Sequence, residues 1–171
     1  KLKTNFNFGD KAASLIKSYL ENRSFSVNVR DVSSGPKKLQ QEVPQGSILG
    51  PPLYNLYTTE IEALAHHHGV HINLYADDSQ LYISYDSNNI GKIQQILRNC
   101  QSDVKIWNDT NFLKLNTNKT ELKLFQPVRT TEPFKIDYDG INLDCSDTIK
   151  LLGISITGNF DLTKFISNKV K

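Results

Sequence analysis

Two adjacent carboxylates, in Tyr75-Ala76-Asp77-Asp78, interrupt a run from Leu74 to Tyr85 that otherwise reads as two short apolar strands. An ionised carboxylate beside an apolar core is costly unless it is paired or bound to a metal. Two side by side also repel each other, and a divalent cation held by oxygens compensates both costs. The pattern predicts a strand-turn-strand corner that holds magnesium, which is what phosphoryl transfer needs at a nucleotide's phosphates. The plainer alternative is an exposed turn with two solvated acids, because acidic residues favour turns.

The 171 residues are enough for one domain with a real core. With 22% charged and 38% hydrophobic residues the chain is globular rather than disordered. A net charge of +2 is compatible with nucleic acid without being diagnostic of it. No apolar run approaches the roughly 20 residues of a membrane span, so no membrane partner is expected. Leu2 to Phe8 is polar and lacks the apolar region of a secretory signal, so an intracellular protein is expected. Cys100 and Cys145 are far apart and read as reduced thiols. The three Asn-x-Ser/Thr matches, beginning at Asn22, Asn108 and Asn118, then read as chance. The chain has no methionine, which reads as a piece of something longer.

Along the chain, Ala12, Leu15, Ile16, Tyr19 and Leu20 recur at helical spacing, and Asp10 can cap a helix from Asp10 to Asn22. Arg23 to Val32 alternates as a strand, Ser33-Ser34-Gly35-Pro36 reads as a turn, and Lys38 to Val43 as the returning strand. Pro51 and Pro52 fit the first turn of a helix that carries Leu53, Leu56, Tyr57, Ile61 and Leu64 and stops at Gly69. Val70 to Ala76 and Gln80 to Tyr85 form the carboxylate hairpin. A second amphipathic helix, Asn89 to Asn108, carries Ile93, Ile96, Leu97, Cys100, Val104 and Trp107 on one stripe. Further strands are expected at Glu121 to Phe125 and Leu151 to Ile156. Asp139-Gly140 marks a hairpin between Phe134–Tyr138 and Ile141–Leu143. The sum is an α+β arrangement, an antiparallel sheet with helices packed on one face.

Four segments in this order resemble one family: Val43 to Tyr57 (VPQGSILGPPLYNLY), Leu74 to Tyr82 (LYADDSQLY), Leu113 to Phe125 (LKLNTNKTELKLF) and Lys150 to Ile156 (KLLGISI). They resemble the reverse transcriptase of non-LTR retrotransposons, the jockey-like LINE group, and Ser18 to Val29 is similar to the segment just upstream in those enzymes. The resemblance implies an incomplete right-hand polymerase palm that copies RNA into DNA with two magnesium ions. Its partners would be an RNA template, a DNA primer and deoxynucleoside triphosphates, in cytoplasm and nucleus. It implies Asp77 and Asp78 as catalytic metal ligands, with Tyr75 near the primer end or the incoming nucleotide. Pro44, Gln45 and Gly46 would position template and nucleotide, and a glycine there lets a backbone approach a ligand closely. Lys119 would act as general acid toward departing pyrophosphate. The Leu152-Gly153 turn resembles the primer grip. Residues 1–42 would be a connecting helix and hairpin between fingers and palm, 43–148 palm, and 149–171 the primer-grip hairpin and the start of the thumb.

Two-metal catalysis needs carboxylates from more than one strand around ions about 3.5–4 Å apart. The family's earlier aspartate strand has no match at Asp10, Asp31, Glu21 or Glu42. A chain that lacks it is expected to be inactive alone, or to persist as a non-catalytic nucleic-acid-binding remnant or a fold without function. An incomplete palm also exposes a sheet edge.

Other groups read more plainly. His66, His67, His68 and His71 lack an ordered ligand pattern and suit a solvated helix end. Trp107 belongs to a core stripe. Lysines 114, 119, 123, 150, 164, 169 and 171 form either a backbone-binding face or a solvated one.

Overall fold

In the computed structural model, residues 1–39, 43, 46–125, 134–138 and 140–158 are described. The chain divides into two compact units, Lys1–Tyr54 and Asn55–Lys171. Among the described residues no helix is long and apolar enough to cross a membrane.

The first unit opens with a short helix, α1 (Leu2–Phe6), where the sequence offered no helical signal. Helix α2 (Asp10–Leu20) follows, as its periodicity predicts, and buries Ile16. A nested hairpin comes next: β1 (Ser24–Phe25) pairs with β4 (Lys37–Lys38), and β2 (Asn28–Val29) with β3 (Val32–Ser33). The chain therefore reverses at Arg30-Asp31, not at Ser33 to Pro36 as expected. Arg30 adopts φ 53°, the left-handed conformation that a tight two-residue reversal requires. The expected turn residue Ser34 instead seals the ladder's outer side. Its N–H donates to the Val27 carbonyl at 2.9 Å, and its Oγ accepts from the Val27 N–H at 3.0 Å.

Helix α3 (Gly50–His67) carries Pro51 and Pro52 in its first turn, where a missing N–H costs little. It ends in a Schellman motif. Val70 N–H donates to the Ala65 carbonyl (3.0 Å), Gly69 N–H to that of His66 (2.9 Å), and Gly69 supplies φ +70°. The termination puts fully buried Val70 into the core. The carboxylate hairpin follows as β5 (His71–Tyr75) and β6 (Asp78–Tyr82). A one-turn 3-10 segment, Ser87–Asn89, with Asp86 accepting from the Asn88 N–H at 3.2 Å, leads into α4 (Ile90–Thr110).

The core of the second unit joins Ile61 and Ala65 of α3, Val70, and Leu97, Cys100 and Val104 of α4 to Phe134 and Ile136. Ile136 lies on β7 (Lys135–Tyr138), which pairs with β8 (Ile141–Asp144), with Gly140 at φ 76° in the connection, while Asp139 of the expected turn lies outside the described residues. Ile72, Leu81 and Ile83 pack one side of the carboxylate hairpin against that core, with Trp107 partly buried beside it. The strand expected at Leu151 to Ile156 is instead a hairpin, β9 (Thr148–Leu151) and β10 (Ile154–Thr157), reversing at Leu152-Gly153.

Helices and small antiparallel sheets thus make an α+β fold. The single sheet expected from the sequence is not formed among the described residues, which pair instead in five two-stranded ladders. Glu121 to Phe125 is not a strand. Leu122 makes one parallel bridge with Cys145, while Glu121 and Lys123 bond through their side chains to backbone near β9. An alternating pattern becomes a ladder only when a partner strand lies alongside it.

Candidate functional site

The carboxylate turn is built by register. Tyr75 faces Asp78 across the hairpin, leaving Ala76-Asp77 as a two-residue loop. Directly opposed residues share a face. Tyr75, Asp78, Asn73, Gln80, His71 and Tyr82 therefore lie on the side away from Ile72 and Leu81, which face the core. His71 and Tyr82 stack on that outer face with ring centroids 5.2 Å apart. Ala76 is held at φ 52°. A side chain in the left-handed region costs on the order of 1–2 kcal/mol, so the turn is strained where the carboxylates sit. Tyr75 is 65% exposed, and Asp77 and Asp78 are exposed too.

Neither carboxylate is engaged in a hydrogen bond or ion pair with another described residue. Two exposed carboxylates with free oxygens are a hard donor set, which suits a magnesium-type cation. Among the described residues, however, no cluster of three or more His, Cys, Asp or Glu side chains is poised to hold a metal.

Lys119 ends a 3-10 turn, Thr117–Lys119, closed by its own N–H donating to the Asn116 carbonyl at 3.0 Å. Its side chain is exposed, and no hydrogen bond or ion pair among the described residues links it to Asp77 or Asp78. Leu152 (φ 48°) and Gly153 (φ 85°) both adopt positive φ, the signature of a type I′ hairpin turn, with Leu152 53% exposed. Gly46, at φ +79°, uses the conformational freedom of glycine in the loop before α3. One residue on, Ser47 Oγ accepts from the Tyr19 hydroxyl at 2.5 Å and ties that loop to α2. Pro44 and Gln45 lie outside the described residues.

Three groups differ from, or add to, the sequence reading. Lys123 is not part of a solvated basic face. Its ammonium donates to the carbonyls of Ser146 (2.6 Å) and Asp147 (2.7 Å). The one available signal was its place between Leu122 and Leu124, which pack against the core. His68 leaves the histidine run to bond Asp103 of α4 through Nε2 at 2.7 Å, while His66 and His67 stay exposed as expected. Trp107 is core-packed as expected and donates through Nε1 to Glu60 at 3.1 Å.

Comparison with known proteins identifies the family. Residues 1–156 match the family model described as reverse transcriptase (RNA-dependent DNA polymerase). Over 152 residues the chain is 35% identical to the probable RNA-directed DNA polymerase from transposon BS of Drosophila melanogaster, an alignment covering 83% of this chain and 16% of that protein. It is 27% identical over 161 residues to the RNA-directed DNA polymerase from mobile element jockey of the same species, covering 90% of this chain and 17% of the relative. A 47-residue stretch, 28% of this chain and 5% of the relative, is 47% identical to the probable RNA-directed DNA polymerase from transposon X-element, also of Drosophila melanogaster. The chain thus spans about one-sixth of the length of the first two relatives. No solved structure matches it. The match over nearly the whole chain and the transposon polymerases it aligns with show that the chain belongs to the reverse transcriptase (RNA-dependent DNA polymerase) family, in its non-LTR retrotransposon group.

Proposed function

We propose that this chain is the palm segment of an RNA-directed DNA polymerase that extends a DNA primer on an RNA template with deoxynucleoside triphosphates. The observation that carries the reading is the strained, exposed Ala76-Asp77 turn, whose two carboxylates bond no other described residue, inside a chain of this family. Asp77 and Asp78 would hold magnesium, which when bound supplies charge neutralisation at the phosphates and activates the attacking primer hydroxyl. Tyr75 shares a face with Asp78 and offers a ring and a hydroxyl beside the primer end or incoming nucleotide. Pro44, Gln45 and Gly46 position template and nucleotide, with the glycine permitting close backbone approach. Lys119, whose side chain is exposed, donates a proton to the departing pyrophosphate. Leu152-Gly153 holds the primer strand at the tip of its hairpin.

Two carboxylates from a single turn do not surround a pair of ions, so on this reading the chain alone does not catalyse extension. The second reading, a non-catalytic nucleic-acid-binding remnant, is favoured by the lack of a third metal-ligating side chain among the described residues. Primer extension on an RNA template separates the two, using the chain alone and the chain embedded in a complete polymerase of this family. The expected result is product only from the embedded chain, removed by Asp77→Ala. Extension that survives Asp77→Ala would overturn the assignment. If the embedded chain makes no product yet binds an RNA–DNA hybrid without magnesium and with steep salt dependence, the remnant reading stands.

A further inference from the structure

Lys119 and the Leu152-Gly153 turn stand at two ends of one bonded assembly. Two residues past Lys119, Glu121 Oε2 accepts from the Lys150 N–H of β9 at 3.4 Å. Leu122 bridges Cys145, and its carbonyl accepts from the Ser146 N–H at 2.9 Å. Lys123 then places its ammonium on the carbonyls of Ser146 and Asp147, at 2.6 and 2.7 Å, immediately before β9 begins. On the exit side, a Cβ built on Gly158, the residue after β10, would lie 3.2 Å from Lys123 Nζ and 3.4 Å from its Cε. The missing side chain of Gly158 leaves room for the lysine head. The ammonium thus sits at the base of the β9–β10 hairpin, against both its incoming and its outgoing strand. Hydrogen bonds from a charged donor are stronger than neutral ones, and a partly buried ammonium left without acceptors is expensive.

We propose that Lys123 and Glu121 are positioning residues that lock the Lys119 turn to the β9–β10 hairpin, so that the primer-holding tip and the proton donor move as one body. The proposal rests on the polymerase reading for the roles of Lys119 and Leu152-Gly153, and on the hydrogen bonds alone for the lock itself.

Two measurements on the full chain test it. The first is amide hydrogen exchange in the unmodified chain, Lys123→Met and Lys123→Arg. Loss of charge-assisted bonds predicts exchange about tenfold faster across Ser146 to Thr157 in Lys123→Met. It also predicts unchanged exchange in the β5–β6 hairpin and recovery in Lys123→Arg. Equal exchange in all three chains overturns the lock, and so does acceleration spread evenly over both hairpins. The second is photocrosslinking of a 3′-modified DNA primer, annealed to RNA, to Leu152 and to Tyr75. Crosslinking lost at Leu152 but kept at Tyr75 in Lys123→Met supports positioning of the primer. Parallel loss at both sites, or loss at neither, overturns that role. A chain whose unmodified form crosslinks no primer refutes the primer-grip reading, while the exchange data still decide the lock.

Discussion

Phe112 occupies at the end of α4 the place that Gly69 occupies at the end of α3. In both, the following residue bonds back across a helical turn: Val70 to the Ala65 carbonyl at 3.0 Å, Leu113 to that of Asn108 at 2.9 Å. In both, the terminating residue is left-handed, with φ +70° at Gly69 and 58° at Phe112. Glycine takes that conformation freely, and phenylalanine does so at a cost. Phe112 is 80% exposed, so the core does not compensate for it.

Phe112→Gly should therefore stabilise the second unit by about 1 kcal/mol, the ordinary left-handed penalty of a residue with a Cβ. Gly69→Ala should cost about the same, since a Cβ there meets nothing within 4 Å and strain is the sole term. Urea denaturation midpoints check both signs. An unchanged midpoint for Phe112→Gly would mean that the ring makes a contact worth as much as the strain.

Ala76 and Leu152 pose the same question at the two turns proposed to meet substrate. Ala76→Gly and Leu152→Gly should each raise stability by about 1 kcal/mol. In the embedded polymerase each should lower primer extension, because a glycine turn no longer holds the neighbouring side chains in one geometry. Denaturation and extension assays on the same variants would show the two effects moving in opposite directions.

Cys100 gives a pH signature. Burial, and after it the Asp103 carboxylate, push its thiol up to about 11 from an ordinary 9.0. The folded state keeps the proton longer than the unfolded chain does. The stability contribution is therefore complete below pH 9 and is lost as pH rises toward 11, at up to about 1.4 kcal/mol per pH unit. Urea titrations between pH 8 and 10.5 should show this slope, and Cys100→Ala should flatten it. At pH 8 a thiol reagent should modify partly exposed Cys145 before buried Cys100, because the thiolate is the reactive form.

Lys119→Ala in the embedded polymerase should lower kcat by roughly a hundredfold, the usual scale of a lost general acid, with little change in primer–template affinity. Lys119→Arg should recover little, because a guanidinium does not release a proton near neutral pH. Single-turnover extension with a separate binding titration distinguishes this from loss of primer binding.

Elements whose causes are local were legible along the chain. Helices α2, α3 and α4 follow from apolar spacing, paired prolines and a stop glycine. The carboxylate hairpin follows from apolar runs either side of two acids, and the β7–β8 reversal from Asp139-Gly140. Membership of the polymerase family was also legible there, because it rests on motif order along the chain. Features that depend on a distant partner emerged only in the folded chain. Glu121 to Phe125 alternates like a strand, yet Lys123 finds its acceptors 23 and 24 residues away and the segment becomes a brace. The run from Leu151 to Ile156 also reads as one strand, but a left-handed Leu152 beside Gly153 folds it back on itself. Periodicity records which face of a segment is apolar. It does not record which backbone carbonyl a charged side chain will meet, since that meeting forms only when the loops close.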